Sequence, residues 1–353
     1  MSLKHLGAGK NYGDVLVSIQ KLRRTPKPGR ARVFFFGDST LAILDNADSP
    51  PAILEKSLSD KYGKDRVEII QWAFSGASMF HYYCFVCKAE QYSPDLIVIP
   101  INFRTFGSHW VKGLRTGRKK DQLLYNELLV FAPLRERFSD DVYSINDLQG
   151  FTIFDRISLE ANFWEAYYLL GFKLWAKDTL CLLFFNSSPE LDRINRENMA
   201  KQEATEAWAE SFENAERSEE FFESLYPMEL PSDNMQLRLY ATLVDALYRR
   251  QIPFMFYVSP INTQEMNGSG VFDDVKFDKI IEQMKEIAVS KGGIFLDVSR
   301  LLSDEQFGLL EHYTPEGARI VAQSIQPEIE QILQLPGRNT LSQESPSREK
   351  SHR

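Results

Sequence analysis

Cysteine is scarce in this chain, three among 353 residues. Cys84 and Cys87 make a C-x-x-C and Cys181 stands alone, so there is no framework of the kind that staples small secreted domains. No second cysteine pair exists to complete a zinc site, and the Cys84/Cys87 pair sits in an aromatic stretch where core packing is the plain explanation. Long apolar runs are lacking too. The nearest approach, Phe163 to Phe185, is broken by Glu165, Lys173, Lys177 and Asp178, short of the about 20 consecutive apolar residues that a membrane helix requires. No integral membrane segment is expected. Basic residues are outnumbered, with 41 Lys and Arg against 49 Asp and Glu for a formal charge of -8. Phosphate polyanions select for basic surfaces, so no nucleic-acid partner is expected, nor simple attraction to an anionic membrane. Gly7-Ala8-Gly9-Lys10 is not a phosphate loop, because Lys4 stands where the first glycine is required and Asn11 replaces Ser/Thr. Neither a cofactor nor a metal is implied. Met1 to Lys10 lacks the apolar core of a signal peptide, which sets a cytoplasmic expectation, or a periplasmic or extracellular one if a targeting segment has been removed.

What is present is an ordinary globular balance, 43% hydrophobic and 25% charged, enough for a core of normal size. Arg32 to Phe36 is a short apolar run ending in Gly37 and reads as a fully buried strand. Val67 to Trp72, Asp95 to Ile101, Pro253 to Val258 and Gly293 to Val298 read as further strands. Helices are expected from Thr40, over Pro51–Tyr62, Phe80–Glu90, Met235–Arg250, Phe272–Ser290 and Thr314–Leu333. Thr314 caps the last of these with Pro315 at its first position, and Pro327 inside it is a candidate kink. Strands alternating with helices imply a parallel sheet covered on both faces. The expected organisation is an N-terminal extension over 1–30, one α/β domain over 31–335 and a disordered polar tail over 336–353. The domain is interrupted at about 106–235 by a mostly helical insertion. The insertion carries a dense aromatic segment, Phe163, Trp164, Tyr167, Tyr168, Phe172 and Trp175. Helical packing explains it, and a lid over the pocket or a dock for a protein partner is the sharper alternative. The acidic stretch from Glu203 to Glu223 reads as a solvated helix face.

In such sheets the chemistry lies beyond the carboxyl ends of the strands. The first strand ends in Gly37-Asp38-Ser39-Thr40, a sharp turn that delivers a serine hydroxyl to a helix start. The second is followed by Phe74-Ser75-Gly76-Ala77-Ser78, where Gly76 permits close backbone approach. The third ends in Asn102, an amide at the same edge, and Arg104 two residues on is either a clamp for a substrate carboxylate or phosphate, or a salt-bridge partner. Ahead of the last helix stands His312-Tyr313-Thr314-Pro315-Glu316-Gly317, an imidazole in what reads as a catalytic loop. His81 and His109 fall near the second and third strand ends and are candidate lining residues, as is Asp38. There is no G-x-S-x-G around Ser39, so the nucleophile elbow of α/β-hydrolases does not apply.

These four pieces, in this order, resemble the SGNH (GDSL) hydrolases, a family named for Ser, Gly, Asn and His in four blocks. The resemblance covers residues 32–104 and about 253–333. It implies a three-layer α/β/α, flavodoxin-like parallel five-stranded sheet with a large helical insertion. It further implies a serine esterase or acyltransferase: Ser39 as nucleophile, His312 as its base, and the Ser39 N–H, the Gly76 N–H and the Asn102 amide as oxyanion donors. The substrate implied is a small-molecule or carbohydrate ester. The chain departs from the family pattern three residues before the histidine, where Leu309 replaces the usual aspartate. Glu311 and Asp304 are the candidate replacements for that triad acid. The departure leaves a second expectation open, a catalytically impaired relative that binds acylated glycans or assists assembly.

Overall fold

The computed structural model describes residues 22, 27–42, 44, 47–73, 77–108, 223, 225–268, 270, 272–309 and 312–335. Most of the expected insertion and N-terminal extension, and the whole tail from 336, fall outside them. Five strands form a parallel sheet in the order β2-β1-β3-β4-β5: β1 (Ala31–Gly37), β2 (Val67–Ala73), β3 (Leu96–Ile101), β4 (Phe254–Val258) and β5 (Ile294–Asp297). This is the flavodoxin-like order, in which β1 leads to β2 on one side and the chain then crosses to β3 on the other. Burial follows the residue pattern of each strand. β3, β4 and the Val33–Phe36 stretch of β1 are continuous apolar runs buried on both faces, as central parallel strands must be. β2 and β5 carry polar or half-exposed positions and form the two edges.

Helices cover both faces. α1 (Ser39–Ala42), α2 (Pro50–Tyr62) and α7 (Pro315–Ile332) lie with Val33, Phe35, Val98, Met255 and Tyr257 around one core. α3 (Met79–Ala89), α4 (Met235–Arg249) and α6 (Asp274–Val289) lie with Phe34, Phe36, Ile97, Ile99 and Phe256 around the other. Alternate residues of β1 thus feed opposite cores, as the two-residue period of a strand requires. Phe34, Phe36, Trp72, Tyr82 and Phe85 make a chain of ring contacts at 4.8–6.3 Å. Cys87 is buried in the same core, in keeping with a packing role. At the far end of β1 the Arg32 side chain is buried, its Nε donating to Glu68 Oε2 at 3.0 Å and its Nη1 to the Tyr92 carbonyl at 2.7 Å.

Element boundaries agree closely with the sequence pattern. Thr314 caps α7 by accepting the Gly317 N–H at 3.2 Å, with Pro315 opening the helix, and α7 runs on through Pro327 to Ile332. Two elements differ. A short helix, α5 (Thr263–Gly268), follows β4. The segment expected as a loop around His312 is an antiparallel pair, β6 (Phe307–Leu309) with β7 (His312–Tyr313), in which Leu309 faces His312 and Phe307 faces Tyr313 across an irregular register. Strands this short carry no periodic signal; they exist because the Thr314 N–H and hydroxyl both bond the Gln306 carbonyl, at 2.9 and 3.2 Å, and clamp the pair to the start of α7. Among the described residues no helix is long and apolar enough to cross a membrane.

Candidate active site

The pairing of β1 with β3 stops short of the carboxyl edge of the sheet. β1 and β3 pair only from Val33↔Leu96 to Phe35↔Val98. Beyond that, β1 stays with β2 as far as Gly37↔Ala73, while β3 continues with β4 as far as Ile101↔Val258. Pro100, which has no N–H to give, lies in the stretch of β3 that pairs with β4 alone. Asp38-Ser39 follows one diverging strand and Asn102 follows the other, so both flank the topological switch point, the position at which open α/β sheets take their ligands.

Local hydrogen bonds hold the β1 end. Asp38 is buried, and its Oδ1 accepts both the Thr40 N–H at 2.9 Å and the Thr40 hydroxyl at 2.8 Å. Thr40 is buried as well, whereas Ser39 between them is half-buried. The turn therefore anchors the residues on either side and leaves the serine itself partly exposed beside the end of β1. α1, which Ser39 opens, packs against β7, which carries His312. The imidazole is 8% exposed. The sequence-distant serine and histidine thus belong to elements in contact with one another.

Asn102 closes the other side. Its backbone carbonyl accepts the Thr105 N–H at 3.0 Å and the Thr105 hydroxyl at 2.8 Å, and its Oδ1 accepts the Arg104 N–H at 3.2 Å. The last bond decides which end of the amide is oxygen, since only an acceptor suits a backbone N–H. The Nδ2 end is left as a donor with no protein partner among the described residues.

The remaining candidates are distributed as follows. Arg104 is half-buried in the 3₁₀ turn after β3. His81 lies in the first turn of α3, where its Nδ1 accepts the Ser78 N–H at 3.1 Å and stands 3.0 Å from the Ser78 hydroxyl in a reciprocal cap. Asp304 is exposed and its Oδ1 accepts from Asn262 Nδ2 at 2.6 Å, an engagement with α5's leading residue. Gly76, His109 and Glu311 lie outside the described residues. No group of His, Cys, Asp and Glu among the described residues could hold a metal ion.

Several groups near the site were not singled out by sequence. Tyr82 (α3), Tyr257 (β4) and Tyr313 (β7) are buried. Burial, and then the Asp38 charge, pushes the Tyr82 phenol well above the ordinary tyrosine range; Tyr257 is pushed up by burial, then Tyr313, then Asp38. Gly317 also matters: a Cβ there would stand 2.5 Å from the Gln306 carbonyl oxygen. The one sequence signal for these groups is their place beside a strand end or a cap, which many structural residues share.

No family model matches the chain, and no curated protein does. Among solved structures it is similar to LAE5, an alpha/beta hydrolase enzyme from the metagenome of Lake Arreo, Spain, at 11% identity and a TM-score of 0.39, over 86% of this chain and 95% of that one. A likeness at that level establishes neither a shared fold nor a shared activity.

Proposed function

We propose that the protein is a serine hydrolase of SGNH type that cleaves or transfers an ester-linked acyl group, with Ser39 as nucleophile and His312 as general base. One observation carries the reading: the element opened by a half-buried serine packs against the strand bearing a buried histidine, at the switch point of a parallel sheet. The Ser39 oxygen attacks the ester carbonyl as His312 takes its proton, and a tetrahedral oxyanion forms. The Asn102 Nδ2 donor, the Ser39 N–H and the Gly76 N–H stabilise that oxyanion. Its collapse expels the alcohol, which leaves with the proton from His312, and an acyl-serine remains. Water or a second alcohol, activated by the same imidazole, then releases the acyl group and regenerates Ser39. The substrate is a small-molecule or carbohydrate ester, an acetyl ester being one such substrate.

Leu309 favours a second reading. An aliphatic residue at the place of the triad acid removes the carboxylate that would orient the imidazole and stabilise its charged form. On that reading the protein binds acylated glycans, or assists assembly, without turnover. The two separate by reaction with a fluorophosphonate and location of the adduct by mass spectrometry. An adduct on Ser39 that disappears in His312→Ala supports the enzyme. A chain that stays unlabelled while a control esterase is modified leaves the binding protein as the reading.

A further inference from the structure

Phe106 and Asn234 stand 128 positions apart in the chain, yet the Asn234 Nδ2 donates to the Phe106 carbonyl at 3.0 Å. The same amide opens α4: its Oδ1 accepts the Gln236 N–H at 3.0 Å and the Leu237 N–H at 3.2 Å. Two backbone donors on one side and a carbonyl on the other fix which end of the amide is oxygen. Asn, Asp and Ser cap helices about equally well, and all do so through a side-chain oxygen. Among them only the asparagine amide carries a donor on a separate atom, so the bond to Phe106 goes beyond what the cap requires. Phe106 ends the 3₁₀ turn (Phe103–Phe106) that Asn102 opens. Both rings of that turn lie in the core: Phe103 meets Phe277 edge-on at 5.0 Å and stacks with Phe106 at 6.3 Å. The Thr105 N–H and hydroxyl and the Arg104 N–H hold the start of the turn through their bonds to Asn102. The Gly107 N–H bonds the Arg104 carbonyl at 3.0 Å, and Asn234 holds the end.

We propose that Asn234 is a positioning residue for Asn102: by tying the Phe106 carbonyl to the start of α4, it fixes the turn that sets where the Asn102 Nδ2 donor stands. The inference rests on the reading of Asn102 as an oxyanion donor. The lever is short, since Asn102 and Phe106 are the two ends of one turn. With its start held to the end of β3 and its end held to α4, the turn tilts only if one of these bonds stretches. Donors to an oxyanion act at about 2.7–3.1 Å, so a turn released from α4 would hold the amide at that distance for a smaller share of the time.

The test compares Asn234→Asp and Asn234→Ser on the full chain, each made alone and together with Asn102→Ala. Both substitutions keep a capping oxygen for α4 and remove the amide donor to Phe106. Serine carries no charge, so agreement between the two sets aside repulsion between a carboxylate and the carbonyl. Two quantities are read: kcat and KM for p-nitrophenyl acetate, and hydrogen exchange of the Arg104 and Thr105 amides, which bond to Asn102. Each variant alone is expected to lower kcat on the order of tenfold with KM within about twofold, and to speed exchange of both amides on the order of tenfold. On top of Asn102→Ala the same change acts on kcat within about twofold, because the donor it served is gone. Equal loss of kcat in both backgrounds overturns the inference, as does unchanged exchange or unchanged kcat in either variant. If one of the two does not fold, the other carries the test. A wild-type chain with neither turnover nor fluorophosphonate labelling defeats the proposed function instead. Exchange alone then decides: faster exchange keeps the tie between Asn234 and the Asn102 turn, and unchanged exchange removes it.

Discussion

Gly317→Ala is the substitution whose cost the coordinates define most closely. The added methyl would lie 2.5 Å from the Gln306 carbonyl oxygen and 3.2 Å from both Leu302 Cδ1 and Tyr313 Cβ. A carbon and a carbonyl oxygen approach comfortably only to about 3.3 Å, so helix and carbonyl must part by roughly 0.8 Å. That carbonyl accepts the Thr314 N–H and hydroxyl, the bonds that clamp the β6–β7 pair to α7. Overpacking of this kind costs about 1–3 kcal/mol, and weakening the clamp adds about 1 kcal/mol. The expected loss, measured by urea unfolding, is about 2–4 kcal/mol. His312 lies two residues ahead of the clamped Thr314, and displacement of a base by about 1 Å lowers reactivity on the order of a hundredfold. Fluorophosphonate labelling of Ser39 should fall accordingly in the folded fraction. Gly308→Ala is the control, since among the described residues its methyl would meet the His312 carbonyl oxygen alone, at an ordinary 3.8 Å. Wild-type stability and labelling in Gly317→Ala, or equal damage in Gly308→Ala, would refute the argument.

Asn102→Ala removes the donor at the end of β3 and should cut turnover of an activated ester on the order of 10²–10³-fold, with about 1 kcal/mol of stability lost along with the cap on the Arg104 N–H; an equal rise in KM with kcat intact would point to substrate binding instead. Arg32→Met removes the bond to Glu68, which keeps Arg30 at 3.9 Å, and leaves the Tyr92 carbonyl at the opposite end of β1 without that donor, and should cost about 1–3 kcal/mol in urea unfolding without altering the labelling rate per folded molecule. Glu330 provides a test in pH. Partial burial raises its carboxyl, but hydrogen bonds from Lys61, Gln326 and Tyr62 outweigh that and hold it below the ordinary glutamate range. A depressed folded value means that its contribution is complete above the unfolded value near pH ~4.3 and is lost as pH falls through the folded one. The stability difference between wild type and Glu330→Gln should therefore be flat at neutral pH and shrink in acid; a difference that grows in acid would reverse the assignment.

The sheet was legible because its strands announce themselves. β3, β4 and the Val33–Phe36 stretch of β1 are unbroken apolar runs, which in a chain of alternating strands and helices means burial on both faces, and β2 and β5 show by their polar positions that they are edges. The last helix was readable from Thr314 and Pro315 for the same local reason, that a cap and a first-turn proline act within four residues of each other. The candidate serine, asparagine and histidine could be named in advance because a glycine-led turn, an amide and an imidazole each stood at the end of a recognisable element. The β6–β7 pair was not legible, since strands of three and two residues exist only by virtue of the Gln306 carbonyl that ties them to α7.

Sequence alone thus determined which residues form strands and helices and which chemical groups stand at their ends, because those properties depend on neighbours a few positions away. It was tertiary structure that decided where the pairing of β1 with β3 ends and that α1 lies against β7. Those meetings join elements as far apart in the chain as Ser39–Ala42 and His312–Tyr313. They arise from the crossover order of the sheet and the filling of two cores, and no local pattern in the chain encodes either.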